Sequence, residues 1–162
     1  MTYTFARVAA LVMTALSLAP SYAHVLEAPP RLTVWSPDLW REATVFGGQF
    51  RLFAIVGGPV DIAAILLAIL LAVLLWRRQP AFASALAGAM LFALGLAAWI
   101  VVVAQANSVL ATWQPGPIPD EFFAIRNRWE TGHMIVAALK FLGFIAVAIG
   151  AVTADRRPEP NP

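Results

Sequence analysis

Three long apolar runs decide what this chain can become. LFAIVGGPVDIAAILLAILLAVLLW fills residues 52–76, AFASALAGAMLFALGLAAWIVVVA fills 81–104, and GHMIVAALKFLGFIAVAIGAVT fills 132–153. Each reaches the roughly 20 residues that a helix needs to cross a bilayer core. Inside lipid the backbone must satisfy its own hydrogen bonds, so runs of this kind become helices. Composition agrees: 60% of residues are hydrophobic and 12% charged, too little polar surface for a domain that lives in water. The expected fold is all-α, a single transmembrane domain over 1–162, built as a four-helix bundle with short interfacial helices on its outer side.

The fourth span, residues 5–27, is the weakest, because Arg7, Pro20 and several hydroxyls interrupt it. Its second half, ALSLAPSYA, resembles a secretory signal, with Arg7 as the basic end and Ser21-Tyr22-Ala23 as a cleavage site. Cleavage there leaves His24 at the new amino terminus. The other reading is a helix that runs on through Glu27 as a retained first span, and that is the expectation carried forward. Four alternating helices then put Arg7, Arg77, Arg78, Arg156 and Arg157 on one side, which the positive-inside rule makes cytoplasmic. Arg31, Arg41, Arg51, Arg126 and Arg128 fall on the other side, among Asp38, Glu42, Asp120, Glu121 and Glu130. The expected address is a bacterial inner (cytoplasmic) membrane, multi-pass, with both termini cytoplasmic. The net charge of +2 is too small and scattered for a nucleic-acid partner. With no cysteine, disulfides and thiolate chemistry are excluded.

Two longer segments lie on the outer side. In 28–51, Pro29-Pro30 predicts the end of helix one, and Ser36-Pro37-Asp38 predicts a capped short helix carrying Trp40. In 107–131, Pro115, Gly116, Pro117 and Pro119 mark a turn. After it, DEFFAIRNRWE resumes as helix and runs into the last span. Trp35, Trp40, Trp113 and Trp129 read as interfacial anchors.

The chemistry concentrates at the outer mouth. His24 and Glu27 sit three apart where helix one exits, and Glu130 and His133 repeat that step in reverse where helix four enters. Residues three apart share a helix face. If these helices are neighbours, the imidazoles meet at one level and the carboxylates at the next. Two imidazoles and two carboxylates make a metal-ligand set of the kind that helical bundles build from E-x-x-H steps, suited to iron, copper, zinc or manganese. The alternatives are a polar network without metal and two unrelated polar ends. Asn107 and Gln105 end the third span at similar depth. Arg126 stands four before Glu130, at ion-pair spacing, and Trp129 supplies an aromatic wall. Deeper, Asp61 and Lys140 each fall about 12 to 14 Å inside their spans at 1.5 Å per residue. Charges at that depth seek each other, so a structural ion pair is expected there. Gly57-Gly58-Pro59 loosens helix two and opens room beside it. Ala85, Gly88 and Ala89 let helices close together elsewhere.

Taken together, HVLE after the first span, an Asn after the third, and RNRWETGH leading into the fourth resemble the anthrone-oxygenase-like family of small four-helix membrane proteins, long filed as a domain of unknown function. The resemblance implies oxygenation of a hydrophobic aromatic of anthrone or quinone type near the outer leaflet. It matches the family's recurrent positions at His24, Glu27, Asn107, Trp129 and His133, with Arg126 in the loop helix. Val136 stands where the family often has an arginine, and Lys140 is the next basic residue on that face. On this reading His24, His133 and Asn107 are catalytic, with His24, Glu27, Glu130 and His133 as ligands of iron or copper. A metal-free variant uses histidine as the base. The other class of function is a non-catalytic scaffold or accessory subunit carrying a polar His/Glu network. Expected partners are the lipid bilayer, a hydrophobic small molecule, and a second copy or another membrane protein.

Overall fold

In the computed structural model, which describes residues 2–48 and 51–155, the chain is all helix. Helix α1 is Thr2–Thr33, α2 is Pro37–Arg41, α3 is Arg51–Leu74, α4 is Gln79–Ala98, α5 is Ala104–Leu110 and α6 is Phe122–Thr153. A π-helical turn, Glu42–Phe46, follows α2, and another, Trp99–Val103, joins α4 to α5 as one continuous rod. Four helices are long and apolar enough to cross a membrane: Tyr3–Thr33, Ile55–Leu74, Gln79–Leu110 and Phe122–Thr153. The protein is thus a multi-pass membrane four-helix bundle. Arg156 and Arg157, used above for orientation, lie outside the described residues.

The bundle is a square. Helix α1 packs between α3 and α6, and α4 packs between the same two, while α3 and α6 face each other across the diagonal with little direct contact. Each inner seam steps alternately by four and three residues, the interval that keeps a stripe facing a neighbour. On α1 that stripe is Ala10, Thr14, Ser17, Ser21, His24, Ala28 and Arg31, all buried, whereas Phe5, Val8, Val12, Leu16, Tyr22 and Leu26 are exposed. The hydroxyls that weaken the first span as a sequence are therefore its inward face. Lipid supplies no drive to bury leucine, so small and polar residues line helix contacts in membranes.

The two ends differ. The closed end holds the turn after α3 and the last residues of α6. There Arg7 makes a two-pronged bond to Asp155, at 2.6 and 2.7 Å, and Arg78 donates to the Ala154 carbonyl. The open end is roofed by α2, its π turn and the loop before α6. Ser36 Oγ accepts from the Leu39 N–H and Pro37 occupies the first turn, as the sequence predicts. Arg41 donates to the carbonyls of Pro117 at 3.0 Å and Gly116 at 2.7 Å, stitching the two loops together. Gly116 has φ +142°, a conformation that disfavours side chains.

Two expectations are corrected here. Pro29-Pro30 does not stop α1, which continues to Thr33. Extra donors reinforce the helix around the proline step: Arg31 Nη2 on the His24 carbonyl at 3.0 Å, Thr33 Oγ1 on the Pro29 carbonyl at 2.8 Å, and the backbone N–H groups of Val34 and Trp35 on the Pro30 carbonyl. Among the tryptophans, Trp40, Trp113 and Trp129 are not interfacial anchors. They are 0%, 6% and 3% exposed and form a core with Phe122, because the roof folds over the bundle rather than lying on lipid.

Candidate functional site

Beneath the roof lies a cavity of about 420 Å³, inside the range of small-molecule sites. All four long helices line it. His24 comes from α1, Phe53, Gly57, Gly58 and Asp61 from α3, and Trp129, His133, Val136 and Lys140 from α6. Trp99, Asn107 and Leu110 complete the third rod's wall, and Thr44 and Val45 descend from the roof. Both π turns thus contribute to this one space, a placement common for such turns. The cavity reaches from the roof down to the mid-bundle charges.

Its wall carries the two histidines. The His24 and His133 rings stack with centroids 4.0 Å apart and planes 16° from parallel. Trp129 stands edge-on to both, at 5.2 Å from His24 and 4.4 Å from His133. Trp129 Nε1 donates to Asn107 Oδ1 at 2.9 Å, so α6 fixes a side chain of α5. Neither ring nitrogen of His133 bonds another described residue. The hydroxyl of Thr44 is buried with no partner among the described residues.

The carboxylates do not join the imidazoles. Glu130 is 1% exposed and takes a fork from Arg31, Nε to Oε1 at 2.8 Å and Nη2 to Oε2 at 2.9 Å. Trp40 Nε1 adds a third bond to Oε1 at 2.9 Å. Glu27 also turns to Arg31, at 2.8 Å. Among the described residues no three of His, Cys, Asp and Glu gather closely enough to hold a metal ion. The His24, Glu27, Glu130 and His133 ligand set expected for iron or copper is thereby corrected. Its carboxylates are engaged by a guanidinium, and lone pairs lying in two parallel ring planes do not converge on one point. Arg126 is corrected too. It meets Asn127 Oδ1 at 3.3 Å and lies over the Phe122 and Phe123 rings, because Glu130 is already saturated. Gln105 is exposed on the rod's outer surface.

Arg31 is the residue that sequence reasoning missed. Fully buried, it binds Glu27, Glu130 and the His24 carbonyl. Its signal was present: it stands four after Glu27 and seven after His24, on the same face. Such a fork is geometrically specific, and it clamps α1 to α6 just outside the imidazole stack. With Trp40 on the same carboxylate, it also fastens the roof.

The cavity floor is a second charged group. Lys140 Nζ donates to both Asp61 oxygens, at 2.7 and 2.8 Å, and reaches the Ser17 carbonyl at 3.3 Å. Ser17 Oγ donates to Asp61 Oδ1 at 2.6 Å. This cluster links α3 to α6 across the diagonal, where little else does. Ser17, which the sequence did not single out, belongs to the inward stripe of α1. Compared with protein-family models, curated proteins and solved structures, the chain finds no match.

Proposed function

We propose that the protein is a membrane oxygenase-like enzyme that binds a flat, lipid-soluble aromatic ketone of anthrone type in the cavity and promotes its oxidation by dioxygen. One observation carries this reading: two stacked imidazoles in the wall of an apolar cavity within a membrane bundle. Histidine is the side chain suited to accept a proton near neutral pH. The resemblance to the anthrone-oxygenase-like family, at His24, Glu27, Asn107, Trp129 and His133, agrees with this reading. No metal enters the scheme, because the carboxylates that would hold one are bound to Arg31.

The chemistry balances with dioxygen as sole oxidant. His133 takes a proton from the acidic ring methylene. The carbanion passes one electron to dioxygen and combines with the resulting superoxide, giving a peroxide at that carbon. Loss of the second C–H proton with cleavage of the O–O bond leaves the quinone carbonyl and water. Asn107 holds the substrate oxygen, and His24 and Trp129 hold the His133 ring. In lipid nanodiscs containing the protein, anthrone should drive oxygen uptake well above that of empty discs. His133→Ala should lower the rate about 100-fold, the usual contribution of a positioned base. Uptake equal to that of empty discs would remove the enzymatic reading.

The same proposal assigns the closed end to the cytoplasm of a bacterial inner membrane. Arg77 and Arg78 are exposed in the short turn between α3 and α4. Paired arginines in a short loop beside two span ends support a cytoplasmic assignment for that side.

A further inference from the structure

We infer that Trp129 is a positioning residue that fixes the Asn107 amide as a hydrogen-bond donor to the cavity, so that the site selects flat aromatics presenting an acceptor oxygen over those presenting a ring N–H. This rests on the reading of the cavity as a ligand site. An indole carries one donor and no acceptor. Its Nε1 stands 2.9 Å from the Asn107 side chain, so the atom facing it must be the carbonyl oxygen and the amide NH₂ must face away. That assignment follows from chemistry rather than from the ambiguity between amide O and N. Asn107 lines the cavity, and its NH₂ has no bond to any described residue. Trp129 itself cannot swing away to let the amide turn. It is 3% exposed, wedged edge-on between the imidazole pair and Trp40.

A keto or phenolate oxygen placed against this NH₂ is satisfied. A ring N–H placed there meets two donor hydrogens and stays unpaired in an apolar space. Sites built to pair a polar group discriminate against the analogue that leaves it unpaired.

Three tricyclic probes of nearly one shape test this in nanodiscs by titration calorimetry, with empty discs subtracted: 9-fluorenone (acceptor), carbazole (donor) and fluorene (neither). The wild-type protein should prefer fluorenone to carbazole about tenfold, the effect of one net buried hydrogen bond. Trp129→Phe keeps a ring on the imidazoles, removes the anchoring N–H and shrinks one wall of the cavity. It should bring the fluorenone-to-carbazole ratio close to one, with fluorene affinity as the internal reference for the change in shape. Asn107→Asp keeps Trp129 and offers the cavity an acceptor, so the order should reverse. Should Trp129→Phe elute as aggregate in size-exclusion chromatography, Asn107→Asp decides alone. Equal wild-type affinities, a preference that survives Trp129→Phe in folded protein, or fluorenone still preferred by Asn107→Asp would each overturn the inference and leave the ligand-site reading intact. Binding of none of the three above empty discs would overturn both.

Discussion

The same residue type does opposite work on the α4–α6 seam and on α3. At the closed end glycines are where another helix comes through. A Cβ built on Gly88 would lie 2.5 Å from Val147 Cγ2 and 2.8 Å from the Gly143 carbonyl. One on Gly150 would lie 2.9 Å from both the Ala81 carbonyl and the Ala85 nitrogen. Helices α4 and α6 therefore touch backbone to backbone, and Ala68, Leu71, Ala72, Leu75 and Val147 fill what remains. At the open end Gly57 and Gly58 have nothing within 4 Å of the corresponding position. They face the cavity, and their missing side chains are part of its volume. Along α6 glycine brings helices together, at Gly132 of the open end too, where a Cβ would lie 2.8 Å from Val103 Cγ2, whereas on α3 it hollows the bundle. What separates the cases is whether a partner helix or an empty space stands opposite.

The largest expected effect comes from unfastening the hollow half. Glu130→Ala takes from the fully buried Arg31 its two-pronged carboxylate partner. Breaking a buried pair from one side costs about 3–5 kcal/mol, so unfolding in detergent should show a loss of that size. A loss under about 1 kcal/mol would mean that the clamp does not hold the roof. Next comes Gly88→Val at the solid half. Besides the Val147 methyl, the Gly143 carbonyl and the Val147 nitrogen obstruct it, so overpacking should cost about 1–3 kcal/mol or more, read as a lower thermal midpoint. Gly57→Leu carries the opposite sign. It meets open space and replaces a poor helix former, so stability should stay level or rise by up to about 1 kcal/mol. If Gly57→Leu destabilised as much as Gly88→Val, the distinction between the two halves would fail.

The smallest effect lies at the closed tip. The Arg7 guanidinium holds the Asp155 carboxyl below the usual carboxylate range. A carboxyl lowered in the folded state stabilises above its unfolded value, about 3.9, and that contribution is lost as pH falls through the folded value. Acid below about pH 4 should therefore loosen this tip slightly in the wild type and not in Asp155→Asn. An identical acid response in the two would show that the clasp is unimportant.

Much of the architecture could be read from the chain, since three apolar runs leave little choice but helices of membrane length. Counting residues from the span ends put Asp61 level with Lys140, and the opposite senses of the first and last spans put His24 level with His133 if those helices are neighbours. The structure places the first pair at 2.7 Å and the second pair's rings at 4.0 Å. What could not be read was partner choice. Glu130 had His133 and Arg126 within one turn on its own helix, yet it pairs with Arg31 of α1, ninety-nine residues away. Local spacing describes one helix face, whereas a buried carboxylate is claimed by whichever donor the tertiary packing brings. The double proline hid Arg31 further, because it reads as the end of the helix that carries it. The roof was legible as a capped turn at Ser36 but not as a cover, since Trp40 finds its place only once Glu130 and Phe122 are beneath it.

The claim on which the account depends is that the hollow half is built to hold a ligand. Equilibrium binding of anthrone to nanodisc-embedded wild-type and Gly57→Leu protein tests it most directly, because the substitution fills the cavity without touching a histidine. The account predicts at least about tenfold weaker binding with an unchanged or higher thermal midpoint. Equal affinity in the two proteins would contradict it.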